Sequence, residues 1–262
     1  MSSQEIVKQC CARLYESDLA KILLGDSFHP GGVGLTKRLG TLLGLTAASR
    51  VLDIASGKGT SALFLAEHFG CEVVGVDYGE HNVERSSTAA AAKGLDKRVS
   101  FQTGDAERLP FPDSSFDAVI CECAFCTFPD KSAAANEFAR VLRSGGSVGI
   151  SDLTRGAMLP KELDGLLAWI ACIADAQPIK NYMEQLEAAG LRVTLTKSHD
   201  EALLEMVHQV RTKLLGAEIM VGLKKLDLPG IDFTAAKQMA HAALSAIQQG
   251  SLGYAIICAV QD

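Results

Sequence analysis

Several features that would place this sequence quickly are missing from it. No apolar run approaches the ~18 residues that a membrane-spanning helix needs, and no basic-then-apolar stretch opens the chain. The net charge is -6 over 262 residues, so neither nucleic acid nor an anionic membrane surface is expected as a partner. There is no internal repeat and no low-complexity linker. The full Gly-x-Gly-x-x-Gly of dinucleotide binders is absent, as is the Gly-Lys-[Ser/Thr] of a phosphate-gripping P-loop, because Gly59 follows Gly57-Lys58. With no signal for secretion or membrane insertion, the chain is expected in the cytoplasm.

The composition is that of an ordinary soluble globular protein, with 48% apolar and 21% charged residues. The length suffices for one large domain with a sizeable core. Eight cysteines, at 10, 11, 71, 121, 123, 126, 172 and 258, are a high number for a compartment that keeps thiols reduced.

The chain is organised around Arg50-Val51-Leu52-Asp53-Ile54-Ala55-Ser56-Gly57-Lys58-Gly59-Thr60-Ser61. An apolar strand runs there into a glycine-bearing turn and then into the helical pattern of Ala62 to Glu67. Gly57 and Gly59 have no side chain to block a ligand from the backbone. Further on, Val73-Val74-Gly75-Val76-Asp77 reads as a second buried strand ending in an acid. That spacing marks a nucleoside-binding βαβ unit, with Asp77 set to accept hydrogen bonds from ribose hydroxyls.

Strands are expected near 50–54, 72–76, 99–102, 116–121 and 146–151, separated by helices near 61–69, 80–93 and 131–143. This alternation predicts an α/β fold: a Rossmann-like doubly wound sheet, mostly parallel, with helices on both faces. Arg143-Ser144-Gly145-Gly146 reads as a glycine C-cap. Asp26 to Gly32 is a breaker-rich loop, and Leu35 to Leu43 is helical. Helices are expected over 1–25, 157–176 (with the sole tryptophan, Trp169), 182–190, 200–223 and 234–248. Residues 191–195 form a strand, and Gly253 to Val260 a last strand, expected to be antiparallel. The simplest division is an N-terminal helical cap over 1–44 and a domain over 45–262 with helical insertions after 152.

Four stretches, taken in order, carry a specific resemblance. They are Val51 to Gly59; Gly75-Val76-Asp77; Gly104-Asp105-Ala106-Glu107-Arg108-Leu109-Pro110-Phe111; and Phe116-Asp117-Ala118-Val119 followed by Val141-Leu142-Arg143-Ser144-Gly145-Gly146. Over roughly residues 45–152 the chain resembles the class I S-adenosylmethionine-dependent methyltransferases. The resemblance implies that Ala55, Ser56, Gly57 and Gly59 lie against the amino-acid part of that cofactor. It also implies that Asp77 holds the ribose, with Tyr78 beside it, that Asp105 and Ala106 lie near the adenine, and that Glu122 borders the same cleft. Asp53 matches the acid whose contact with the methionine ammonium is often indirect. Ala55 replaces the first family glycine, which is tolerable provided the position does not need a positive φ.

The acceptor side centres on Ile120-Cys121-Glu122-Cys123-Ala124-Phe125-Cys126-Thr127-Phe128-Pro129-Asp130-Lys131, after the fourth strand. On an extended segment Cys121 and Cys123 would point to one face. With Cys172 further on, this stretch resembles the arsenite methyltransferases. The resemblance implies that Cys123 and Cys172 hold trivalent arsenic as catalytic and metal-ligating residues, with Cys126 a further ligand. Soft sulfur suits that centre, whose lone pair would attack the methyl group without a general base. Free cysteine is also among the most buried residue types, so packing is the competing reading; Cys71 and Cys258, at strand positions, are expected in the core. A small organic hydroxyl, carbon or amine acceptor is the alternative, with His29, Glu122 or Tyr15 assisting proton removal. A lone loop histidine such as His29 is expected to be exposed. A non-catalytic cofactor- or metal-binding sensor is the third possibility. The sequence does not speak to oligomeric state.

Overall fold

The apolar runs become strands where the sequence places them. In the computed structural model, which describes residues 29–156, 159, 163, 173, 175–225 and 232–262, β1 is Arg50–Ile54, β2 Glu72–Asp77, β3 Val99–Thr103 and β4 Phe116–Glu122; β5 is Leu142–Arg155, β6 Leu191–Ser198 and β7 Leu252–Gln261. They form one seven-stranded sheet in the order β3-β2-β1-β4-β5-β7-β6. Pairing is parallel from β3 through β5. The last strand, β7, runs antiparallel to β5 and β6, as expected of the C-terminal strand.

Helices join these strands: α1 (Gly32–Leu42), α2 (Thr60–Phe69), α3 (Glu80–Ala92), α4 (Lys131–Val141), α5 (Ile179–Ala188), α6 (Asp200–Gly222) and α7 (Phe233–Gln248), with a 3-10 turn at Phe125–Thr127. The fold is α/β and Rossmann-like. Strand order reverses between β1 and β4, which leaves a crevice outside their carboxyl ends, where ligands settle in such sheets.

Central strands are buried on both faces, and their sequence shows it. In β1, Val51, Leu52 and Ile54 are at most 1% exposed, and each such side chain contributes roughly 1.5–3 kcal/mol by leaving water. Phe125 meets Phe138 at 5.8 Å and Tyr182 at 5.6 Å between ring centroids, joining the turn after β4 to α4 and α5. Asp130 caps α4 by accepting the Ala133 N–H at 2.8 Å. The α1 helix belongs to the same core. Leu39 is fully buried and fills the space above Gly149 of β5, where an added Cβ would come within 2.7 Å of its Cδ1.

The structure corrects several sequence expectations. Arg143-Ser144-Gly145-Gly146 does not cap a helix. The preceding helix has already stopped at Val141, and the four residues sit in an irregularity of β5 that shifts its register on β4 between Phe116 and Ala118. Gly145 supplies the left-handed φ of 76° there. The helix expected from Leu35 begins at Gly32, because Gly31 adopts φ 78° and turns the chain directly into it. Likewise α5 starts at Ile179 after Pro178, a residue whose fixed φ suits a helix start. The expected helix over 1–25 and most of 157–176 lie outside the described residues, and with them Cys10, Cys11, Tyr15, Trp169 and Cys172. Among the described residues no helix is long and apolar enough to cross a membrane.

Candidate functional site

The turn after β1 holds three left-handed residues within five: Ala55 at φ 56°, Gly57 at 52° and Gly59 at 76°. Two neighbours explain why side chains are excluded here. A Cβ on Gly59 would lie 2.6 Å from Phe101 Cζ, and one on Gly75 would lie 2.8 Å from Ser56 Oγ. The turn is fastened to β2 by Ser56 N–H donating to Val76 O at 3.0 Å and Gly57 N–H donating to Asp77 Oδ2 at 2.8 Å. Asp77 is itself held by Gly79 N–H at 2.9 Å and Asn82 Nδ2 at 3.1 Å, both on Oδ1. Ala55 does therefore occupy a positive-φ position, the condition under which its departure from glycine matters. The left-handed region costs an L-residue about 1–2 kcal/mol.

Asp53, the penultimate residue of β1, has its carboxyl inside the protein, at 2% residue exposure. Burial first, then the charges of Glu122 and Asp77, hold that carboxyl well above the usual carboxylate range, against a backbone hydrogen bond from Ala62. Asp53 Oδ2 and Ser56 Oγ, in the wall of the same turn, are buried without a hydrogen-bond partner among the described residues, a state that costs about 1–3 kcal/mol per group. A cationic, hydrogen-bond-donating ligand against this wall would remove both deficits. An ammonium group beside a nucleoside has that chemistry, so the residues present fit S-adenosylmethionine. On the far side of Asp77, Gly104 N–H donates to Asp77 O at 3.0 Å, and Asp105 Oδ1 accepts the Glu107 N–H at 3.0 Å. This puts Asp105 and Ala106 at the mouth beyond β3. Tyr78 is half-buried.

Glu122, the last residue of β4, is the meeting point of three other elements. Its Oε2 accepts Ser61 Oγ–H from α2 at 2.6 Å and Thr36 Oγ1–H from α1 at 2.9 Å, and lies 3.5 Å from His29 Nε2. Its Oε1 lies 3.4 Å from Ser151 Oγ on β5. Ser151 is bonded in turn to the buried Tyr254 hydroxyl, which donates to its carbonyl at 3.0 Å. His29 is therefore not the exposed loop histidine the sequence suggested. Its side chain is 7% exposed, with Nδ1 3.3 Å from Pro30 O. No signal in the sequence linked His29 or Thr36 to Glu122.

The cysteines separate by burial. Cys71, Cys121, Cys126 and Cys258 are all buried, as expected for Cys71 and Cys258, whose thiols burial pushes up to about 11. Burial pushes the Cys121 thiol up as well. Cys126 lies in the core at the 3-10 turn, its N–H donating to Asp152 Oδ2 at 3.0 Å. Cys123 alone of the five is partly exposed. It does not share a face with Cys121 in the expected way, because β4 ends at Glu122 and Cys123 turns to φ 54°, its N–H donating to Ser151 O at 2.7 Å. Among the described residues no group of three or more His, Cys, Asp or Glu side chains is arranged to hold a metal ion. Lys131, from the same stretch, is buried and pairs with Asp175 at 2.5 Å, tying the chain near residue 175 to the start of α4.

Residues 52–150 match the family described as a methyltransferase domain. The chain is 31% identical to the methyltransferase GfsG of Streptomyces halstedii over 63% of its own length and 61% of that protein's. It is 35% identical to the 27-O-demethylrifamycin SV methyltransferase of Amycolatopsis mediterranei over 52% of its length and 54% of that protein's. The match thus spans between half and two thirds of the length of these two relatives. Phosphoethanolamine N-methyltransferase 2 of Haemonchus contortus, solved with S-adenosyl-L-methionine, shares the fold with a TM-score of 0.79 at 19% identity, over 97% of this chain and 60% of that one. Residues 52–150 therefore match a methyltransferase domain, and the wall of Asp53 and Ser56 suits the S-adenosylmethionine that the sequence motifs imply.

Two outcomes follow from this geometry. Replacing Ala55 by glycine removes the left-handed penalty, so Ala55→Gly should raise unfolding free energy by about 1 kcal/mol in urea titration; an unchanged or lowered value would mean the turn is unstrained. Asp53 has a folded pKa above its unfolded one, so its ionisation costs stability. Its contribution is favourable at low pH and is lost as pH rises from the ordinary carboxylate range through the raised value. A cation bound beside it favours the ionised form, so cofactor uptake should release a proton. Calorimetric titration with S-adenosylhomocysteine in buffers of different ionisation enthalpy should show that release in the native protein and not in Asp53→Asn.

Proposed function

We propose that this protein transfers the methyl group of S-adenosylmethionine to a small organic acceptor bound over the carboxyl ends of β4 and β5. The observation that supports this most is the meeting of the left-handed turn 55–59 with two buried acids, Asp53 and Asp77, where the strand order reverses. In this reading Asp77 and Tyr78 take the ribose, Asp105 and Ala106 the adenine edge, and Ala55, Ser56, Gly57 and Gly59 the amino-acid portion. Asp53 balances the ammonium. When bound, the cofactor supplies an electrophilic methyl on a positively charged sulfur. The protein's share is to hold the acceptor atom in line and exclude water, and positioning of this kind lowers a barrier by up to about 7–11 kcal/mol.

One relative's name specifies 27-O-demethylrifamycin SV, an organic molecule, which favours that acceptor class here. His29 and Glu122 act as a pinned pair and not as a free base in this reading, because both ring nitrogens and the carboxylate are already engaged. A trivalent arsenic acceptor has less in its favour: Cys126 is in the core, and Cys123 would depend on Cys172.

Tritium from [methyl-3H]-S-adenosylmethionine should appear in a member of a panel of small hydroxyl, carbon and amine compounds. Asp77→Ala should lower affinity for S-adenosylhomocysteine at least tenfold. Transfer to arsenite alone, lost in Cys123→Ser, would overturn the organic acceptor. Binding without transfer to any acceptor would favour a sensor.

A further inference from the structure

The Glu122 cluster joins parts of the chain that otherwise have no polar reason to meet. Ser61 lies in the first turn of α2, two residues after Gly59, so its position follows that of the cofactor turn. Thr36 lies on α1, and His29 just ahead of it. All three aim at Glu122 Oε2, at 2.6, 2.9 and 3.5 Å. Thr36 Oγ1 and Ser61 Oγ are also within 3.4 Å of one another, and His29 Nε2 is within 3.4 Å of each. The carboxyl side chain is 4% exposed. A buried carboxyl is tolerated only where such donors satisfy it, so the docked positions of α1 and of α2 are coupled through this group.

We propose that Glu122 is a positioning residue and not a cofactor ligand: it fastens residues 29–42 to the helix behind the cofactor turn, so that cofactor affinity and docking of that segment rise and fall together. The inference rests on the proposed cofactor site. The coupling is reciprocal by linkage: whatever steadies the turn steadies α1, and whatever loosens α1 weakens cofactor binding. Thr36 is the informative residue. It belongs to α1, outside the turn, and its shortest polar contact is the 2.9 Å bond to Glu122, so it affects affinity through this cluster.

Affinity for S-adenosylhomocysteine is measured by calorimetry, and backbone amide hydrogen exchange over residues 32–42 is measured with and without it. In the native protein S-adenosylhomocysteine slows exchange across 32–42. Glu122→Gln weakens binding about tenfold and abolishes that slowing, and Thr36→Val weakens binding about threefold. Thr36→Ser, which keeps the hydroxyl, restores native affinity and keeps the result readable if Glu122→Gln folds poorly. The inference is overturned if the native protein binds S-adenosylhomocysteine but its exchange over 32–42 does not respond, or if Thr36→Val binds as the native protein does. Failure of the native protein to bind at all would instead remove the proposed cofactor site.

Discussion

The carboxyl of Asp53 is the group around which this structure must arrange itself. It enters the interior at the end of β1, where burial and the neighbouring charges of Glu122 and Asp77 all oppose its ionisation. Three features offset this cost. The N-terminal turn of α2 supplies an N–H from Ala62, Asp77 is wrapped by three donors, and Glu122 is wrapped by hydroxyls from two helices. Among the described residues, one oxygen of Asp53 is left without a partner. Such a cluster is stable enough to fold and poorly enough satisfied to favour a cation, which is the electrostatic requirement of a sulfonium- and ammonium-bearing ligand.

Most of the fold was legible in the sequence because the central strands are buried on both faces. Val51 to Ile54, Val73 to Val76 and Ala118 to Cys121 read as apolar runs, interrupted in β1 only by Asp53, as a parallel sheet covered by helices requires. The turn after β1 was legible for a different reason: glycines at 57 and 59 mark positive φ, and the acid that ends the next strand, Asp77, is bonded to it. Boundaries were less legible. The irregularity at Arg143–Gly146 has the composition of a helix cap, and only the pairing of Leu142 with Phe116 shows the strand starting earlier. The early start of α1 likewise depends on Gly31 being left-handed, which its neighbours do not announce.

The polar interior was the least legible part. Glu122, Ser61 and the pair His29 and Thr36 come from three separated stretches and share no spacing rule, so their convergence exists only in three dimensions. The cysteines show the opposite failure. Their local pattern was conspicuous, yet Cys121 and Cys126 are packed in the core, and the break in extended geometry at Cys123 undoes the period-2 argument that paired it with Cys121. Composition identified unusual residues correctly, but burial decides what they do.

The proposed cofactor seat is the turn 55–59 together with Asp53 and Asp77. A crystal structure with S-adenosylhomocysteine tests it most directly. Ribose hydroxyls are expected within hydrogen-bonding distance of the Asp77 carboxylate and the amino-acid portion against Ala55 to Gly59, with a donor on Asp53 Oδ2 or Ser56 Oγ. A ligand seated elsewhere on the sheet, with Asp53 Oδ2 and Ser56 Oγ still unpartnered, would contradict it.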